Sequence, residues 1–407
     1  MFVKPEPGRL LILVRMPANA LIDFLLPTLS TGNWVDLANA HSMAIEGANT
    51  WIADMLSLTE NGTPLARPDV LAVRLSRVND PAFRTFDDAM SRITGAPLPV
   101  ETLALQEQIT VDTLLQAPIA DVSSQFTFTP RFARLGVLVD TAVTFVAPDG
   151  QLRSFAFQGD PNTFQLNPTR GDSARSFAAT ALAYYWGELD FLLFVLCAAL
   201  AFRTRTALIR FTMILAASEA LAVLVLHANA LASPTTRSVV GVFMAALVVY
   251  MGVEAILARL ERAVASRQDG GLAMASGVLL GAACWFGLRP HLQFAGAHAL
   301  AATLTFTAVV VATQSAALLL CAGAVTIAQR LSRVPRAVVV IPAAVAIHIA
   351  WRRLLERADG LALVSLYSPE GNGTLLVVMT AVLIAVLVVA AVAMWRRTWL
   401  RPVTQQN

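Results

Sequence analysis

Apolar and polar positions alternate with a period of two in several stretches near the start of the chain. LLILVRM (10–16), VLAVRLS (70–76), QFTFTP (125–130) and LGVLVDTAVTFV (135–146) read as strands with one buried face. Glu60-Asn61-Gly62 and Pro148-Asp149-Gly150 fall between strand-like runs and read as hairpin turns, because Asn, Asp and Gly tolerate positive φ. Two stretches shift to a helical period: 35–55, with Trp51 on its apolar face, and 84–94. Residues 1–177 are therefore expected to form a β-rich, sandwich-like domain with helical insertions.

From residue 178 onward the pattern becomes a series of long apolar runs. A helix needs about 20 apolar residues to cross the hydrocarbon core. Seven windows qualify: 179–202, 207–231, 238–258, 272–288, 298–327, 337–355 and 373–395. The loops between them are 203–206, 232–237, 259–271, 289–297, 328–336 and 356–372. The expected architecture of 178–407 is an all-α bundle of about seven transmembrane helices.

Composition sharpens this division. The chain of 407 residues is 56% hydrophobic and only 14% charged, outside the usual range for a soluble protein. Residues 1–177 hold 13 Lys+Arg and 18 Asp+Glu, a net of −5; the remaining 17 and 9 give 178–407 a net of +8. The arginines of the second half cluster at the ends of the apolar windows. Arg203, Arg205, Arg259, Arg262, Arg267, Arg330, Arg333, Arg336, Arg396, Arg397 and Arg401 fall on one side, and only Arg237, Arg289, Arg352, Arg353 and Arg357 on the other. By the positive-inside rule the N-terminal domain is outside the cytoplasm and the C-terminus inside. The basic excess is thus explained by the bilayer, and no nucleic-acid partner is expected.

Cys197, Cys284 and Cys321 all lie in apolar runs, so the first half carries no disulfide. No GxGxxG, Walker loop, GxSxG, HExxH or paired Cys/His array occurs, and neither an enzyme nor a cofactor is expected. LLILVRM begins almost at once after Met1, with no export signal ahead of it. Either the first transmembrane helix translocates the preceding domain, or the native product carries residues upstream of Met1; the second is expected.

An ionisable group in hydrocarbon is costly, so each one is a candidate for function. On the first window Glu188 and Asp190 stand two positions apart, which on a continuous helix puts them on different faces. A place near the outer interface, or pairing with Arg210 or a backbone group, is the structural alternative to a transport role. Glu219 with His227, and Glu254 near Arg259, carry the same two readings. Thr303, Thr307, Gln314 and Cys321 share one helical face, a polar stripe suited to interhelical hydrogen bonds. His348 lies one turn before Arg352, with Trp351 between them, and His291 and His298 flank LQFAG in a loop where they would be solvated.

FVKPEPGRLLILVRMP, LARPDVLAVRLS, LGVLVDTAVTF, ELDFLLFVLC, LVVYMGVEAI, LRPHLQFAGAH and AIHIAWRRLLER, in this order and spacing, resemble the HupE/UreJ family. These bacterial membrane proteins are regarded as nickel or cobalt permeases or as accessory proteins of nickel enzymes. The resemblance spans nearly the whole chain and is to the longer members with an extracytoplasmic domain. It implies a multi-pass protein of the bacterial inner membrane with a periplasmic N-terminal domain. It also implies ligand positions that this chain lacks: Tyr184, Phe191, Ala217 and Leu280 stand where the family has His, Thr307 and Val311 where it has Asn and Glu, Gly241 where it has Glu, and Arg352 where it has a second His. Glu254, Gln314, His348 and Trp351 remain.

Imidazole and carboxylate are the groups that nickel and cobalt prefer. The expected function is therefore a degenerate permease scaffold, structural or accessory in a membrane complex, with the bilayer and other membrane subunits as partners. The alternative is a working permease for nickel, cobalt or another small solute through a rearranged site of Asp190, Glu219, Gln314 and His348. The two differ in whether those four side chains converge. The arginine asymmetry itself predicts that a phosphatase fused after Asn407 is inactive outside the cell; an active fusion would overturn the topology.

Overall fold

The computed structural model describes residues 1–367 apart from 22–24, 31, 137, 162, 203, 230–233 and 261–268. The chain divides into two compact units, 1–173 with 291–299, and 174–290 with 300–407.

The first unit is a two-sheet β structure. Its larger sheet has the order β5 (Asp69–Arg77), β6 (Ile109–Pro118), β2 (Arg9–Pro17), β1 (Phe2–Glu6), β8 (Asp140–Val146), β9 (Leu152–Gln158). Its smaller sheet has the order β10 (Phe164–Gln165), β7 (Phe126–Pro130), β3 (Leu56–Glu60), β4 (Thr63–Pro64). The Asn61-Gly62 turn joins β3 to β4 with φ of 51° and 83°, the positive pair that a two-residue hairpin of matching twist requires. β1 pairs antiparallel with β2 through its whole length and parallel with β8 through Phe2 and Val3 alone. Pro5, which has no N–H to donate, therefore stands beyond the parallel ladder.

Two cores cover the two faces of the larger sheet. Ile12, Val14, Val111, Leu115, Val143 and Phe145 pack with Phe126 and Phe128 of the smaller sheet. Leu11, Leu13 and Leu114 pack on the other face with Phe86, Ala89 and Ile93 of α2 (Phe86–Thr94). β2 and β6 are thus buried on both sides, and β6 shows no alternation over Ile109–Leu115. Beside α2 the buried Asp112 receives a forked pair of hydrogen bonds from Arg15, at 2.8 and 2.6 Å, while Arg15 also donates to the Asp80 carbonyl at 2.6 Å. The Arg15 guanidinium lies over the Phe83 ring. On the other sheet Glu60 accepts from the N–H groups of Ala120 and Asp121 at 3.0 to 3.1 Å. Burial alone would raise its pKa, but those N–H groups and the Ser124 hydroxyl outweigh it and hold the carboxyl below its usual range.

The segment 291–299 is part of this unit. Gln293 accepts from the Ala156 N–H at 2.7 Å and donates to the Ala156 carbonyl at 3.0 Å, imitating one more strand residue on the edge of β9. Phe294 stacks on Phe155 and Phe164. The loop predicted at 289–297 is therefore a fixed element, although His291 itself is exposed, as expected.

Several expectations about local structure change. The run 135–146 is strand only from Asp140, with a 3-10 turn at Phe132–Leu135 before it. The helix expected over 35–55 is α1 (Leu37–Gly47), ending in a wide π turn (Ala48–Ile52) and a 3-10 turn (Ala53–Met55).

The second unit is helical: α3 (Arg170–Gly187), which begins in the first, then α4 (Leu189–Ala201), α5 (Arg205–Asn229), α6 (Pro234–Leu260), α7 (Asp269–Leu288), α8 (Ala299–Leu331) and α9 (Ala337–Tyr367). Among the described residues four stretches are long and apolar enough to cross a membrane, 205–229, 236–258, 270–331 and 337–360. The pair α3 and α4 adds a fifth if counted as one broken span. These are the helices of a multi-pass membrane protein. The first window is not one helix: α3 and α4 meet at 69°, with Glu188 in extended conformation between them. The loop expected from 356 is helical as far as Tyr367, and the window 373–395 lies outside the described residues.

Small residues let the helices approach. A Cβ at Gly277 of α7 would collide with Ser218 Oγ of α5, and one at Gly281 would lie 2.5 Å from the Glu219 carbonyl. This is the small-xxx-small spacing that brings helix backbones together in lipid. Gly252 of α6 faces Ile347 of α9 in the same way.

Replacing Asp112 by Ala would leave the Arg15 guanidinium with only the more distant Asp80 carboxylate, at 4.0 Å. Loss of one member of a buried pair costs about 3–5 kcal/mol. Hydrogen exchange of the full-length variant should accelerate across β2 and β6; unchanged protection there would contradict this reading of the pair.

Candidate functional site

The buried polar groups of the helical unit fall into two clusters. The first gathers around Glu219 of α5, which has no exposed surface. Gln314 of α8 donates from Nε2 to Oε2 at 2.9 Å, and the Cys284 thiol of α7 donates to Oε1 at 3.4 Å. Two turns along α5, His227 Nδ1 shares a 3.2 Å hydrogen bond with Thr303 Oγ1, and its ring meets Trp285 edge-on. Thr307 donates to the Thr303 carbonyl at 2.8 Å. Thr303, Thr307 and Gln314 are all buried and form the α8 side of a polar line facing α5; Cys321 of the same predicted stripe is half-buried. The close α5–α7 contact at Gly277 and Gly281 is what brings Cys284 to Glu219.

The second cluster centres on Asp190, in the first turn of α4 and 3% exposed. Arg357 Nη1 of α9 lies 2.5 Å from Oδ2, and Arg353 Nε lies 2.9 Å from Oδ1. The second contact is an ion pair without hydrogen-bond alignment, since both atoms lack a directed partner. Arg357 Nη1 also donates to the Gly241 carbonyl of α6 at 2.6 Å. Asp190 thus pairs with two arginines of α9 and not with Arg210, which is exposed. Sequence reasoning missed them because it ended the sixth window at residue 355 and put Arg353 and Arg357 with the outer loop charges. Had the i, i+4 spacing of Arg353 and Arg357 been read as helical, it would have put both on one face.

The other expected site residues stand apart from both. Glu188 occupies the break between α3 and α4, half-buried. Glu254 of α6 accepts from Tyr250 of its own helix at 3.1 Å. His348 is exposed on α9 and Arg352 pairs with Glu356 one turn on. Of Asp190, Glu219, Gln314 and His348, the structure brings together Glu219 and Gln314 alone. Among the described residues no three His, Cys, Asp or Glu side chains are placed to hold one metal ion.

Of the positions singled out in the sequence, Phe191, Leu280 and Thr307 are buried and Tyr184 is half-buried, whereas Ala217 and Arg352 are exposed. The Tyr184 and Phe191 rings meet at 5.8 Å, Tyr184 meets Phe306 at 5.6 Å, and the Tyr184 hydroxyl donates to the Ala283 carbonyl at 2.9 Å. Gly287 of α7 makes room for the Tyr184 ring, which any Cβ there would strike. Leu280 has no exposed surface. No family model, no curated protein and no solved structure matches the chain.

The ion-pair geometry makes a stability prediction. Asp190→Ala strands two partly buried guanidiniums and should lower the stability of the purified full-length protein by about 3–5 kcal/mol. Removing all three charges, as Asp190→Leu/Arg353→Leu/Arg357→Leu, should recover most of that loss in thermal unfolding. A triple variant no more stable than Asp190→Ala would contradict the pairing.

Proposed function

We propose that this chain is a divergent HupE/UreJ-type protein of a bacterial inner membrane that keeps the scaffold of a metal permease and acts structurally or as an accessory subunit in a membrane complex. The observation that carries this reading is the state of its two buried carboxylates. Asp190 is neutralised by Arg353 and Arg357, and Glu219 is closed off by Gln314 and Cys284. A divalent ion entering the bundle would have to break those contacts and would find no imidazole beside either carboxylate. The Tyr184–Phe191–Phe306 aromatic contact fills space where the family resemblance implies ligands.

In the full reading the helical half has seven spans. The stretch 270–331, with 62 residues, is about three times what one crossing needs. Its middle, 291–299, belongs to the β-rich unit, which supports two spans, α7 and α8, rather than one. The window 373–395 would be the seventh. The arginine distribution supports an extracytoplasmic N-terminal domain and a cytoplasmic C-terminus. An enzyme is not proposed, because no nucleophile–base pair or catalytic motif accompanies either cluster.

A working permease is the second reading, favoured by one feature. The break at Glu188 puts Asp190 at the start of a short helix, and discontinuous helices line substrate sites in many transporters. Titration calorimetry with Ni²⁺ and Co²⁺ on the purified, untagged protein separates the two. The scaffold reading predicts no stoichiometric binding in the membrane half. A micromolar site that is lost in Asp190→Asn or His348→Ala would restore the permease.

A further inference from the structure

We propose that Glu219 and Gln314 form a proton-binding site inside the helical bundle, in which the Gln314 amide serves both the charged and the neutral form of the carboxyl. The inference stands on the geometry of α5, α7 and α8 and does not depend on the family reading.

Three observations carry it. Glu219 is wholly buried, and its side-chain partners are Gln314 and Cys284, neither of which bears a compensating positive charge. No ion pair to Glu219 occurs among the described residues, in contrast to Asp190, which has two arginines. A buried carboxylate without a cation is costly, and taking up a proton is the ordinary way such a group removes its charge. Gln314, 2% exposed, has an Oε1 atom with no hydrogen-bond partner. That acceptor idles while Nε2 donates to the carboxylate. Turning the amide over about its last side-chain bond exchanges the two atoms without moving the backbone. Oε1 then lies where it can accept the hydrogen of a protonated Glu219.

The chemistry is a single protonation. Bulk water supplies the proton, Oε2 gains an O–H bond, and no other bond forms or breaks apart from hydrogen bonds. With Glu219 ionised, Nε2 of Gln314 donates to Oε2. With Glu219 neutral, Oε2–H donates to Oε1 of Gln314, while Cys284 donates to the other oxygen in both states. Among the described residues the titratable groups that interact electrostatically with Glu219 are Cys284 of α7 and Tyr184 and Tyr185 of α3, with Glu188, from the break before α4, acting on Cys284 and Tyr184, and Arg237 of α6 acting on Tyr184. His227 lies two turns away on the same helix as Glu219 and is engaged with Thr303. The site's ligand is therefore a proton rather than a metal ion, and its position between three helices would let protonation alter how α8 packs on α5.

Infrared difference spectroscopy of the full-length protein in lipid nanodiscs tests this directly. Wild type should show a protonated-carboxyl C=O band at neutral pH that disappears on alkalinisation, and Glu219→Gln should lack it. Gln314→Leu removes the acceptor and should keep the band but move it to higher frequency. A wild-type spectrum without the band at neutral pH, or a band unchanged in Glu219→Gln, would overturn the proposal. If Glu219→Gln does not accumulate, an unshifted band in Gln314→Leu would overturn it equally.

Discussion

A carboxylate taken out of water must find a partner, and the helical half of this protein is arranged around how two of them do so. Asp190 finds two guanidiniums on α9, and Arg357 in turn hydrogen-bonds the Gly241 carbonyl, so the contact ties α4 to both α9 and α6. Glu219 finds an amide and a thiol on α8 and α7. The partners differ in charge, and the consequence differs with them: one site is an internal salt, the other a hydrogen-bonded knot without a cation.

The same rule operates in the β-rich unit with water nearer at hand. Asp112 is buried because β6 is covered on both faces, and Arg15 from the neighbouring strand forks onto it. Gln293 does for a backbone edge what Arg15 does for a carboxylate. Its amide closes the exposed ladder of β9 at Ala156, which limits edge pairing with other chains. In the helical unit Gly277 and Gly281 of α7 lie where α5 comes close and Gly287 where the Tyr184 ring does, whereas Gly8, Gly62 and Gly150 of the β-rich unit have open space around them and hold positive φ.

Much of the architecture was legible in the pattern of residues. QFTFTP, which alternates buried with half-exposed positions, and the turns at Asn61-Gly62 and Asp149-Gly150 carry local signals and fall where those signals put them, and VLAVRLS is a strand although Val73–Ser76 are buried in succession. β6 was not legible, because burial on both faces erases the alternation that marks a strand. β1 was hidden by Pro5 and by its brevity. In the helical half the apolar windows were plain, but the break at Glu188 was not, since Trp186-Gly187-Glu188-Leu189 contains no proline and the apolar run continues across it. The partnership of Asp190 with Arg353 and Arg357 joins residues more than 160 positions apart and has no local signature. The polar face of Thr303, Thr307 and Gln314 was readable from its spacing, whereas its partner across the helix interface was not.

The central claim is that the buried carboxylates are already satisfied by the protein's own side chains. A cryo-electron microscopy map of the full-length protein in lipid nanodiscs with Ni²⁺ added tests it most directly. The account predicts Asp190 side-chain density meeting both Arg353 and Arg357, Glu219 meeting Gln314, and no ion density between the helices. An ion bound to Asp190 or Glu219, with the arginines or the amide displaced, would contradict it.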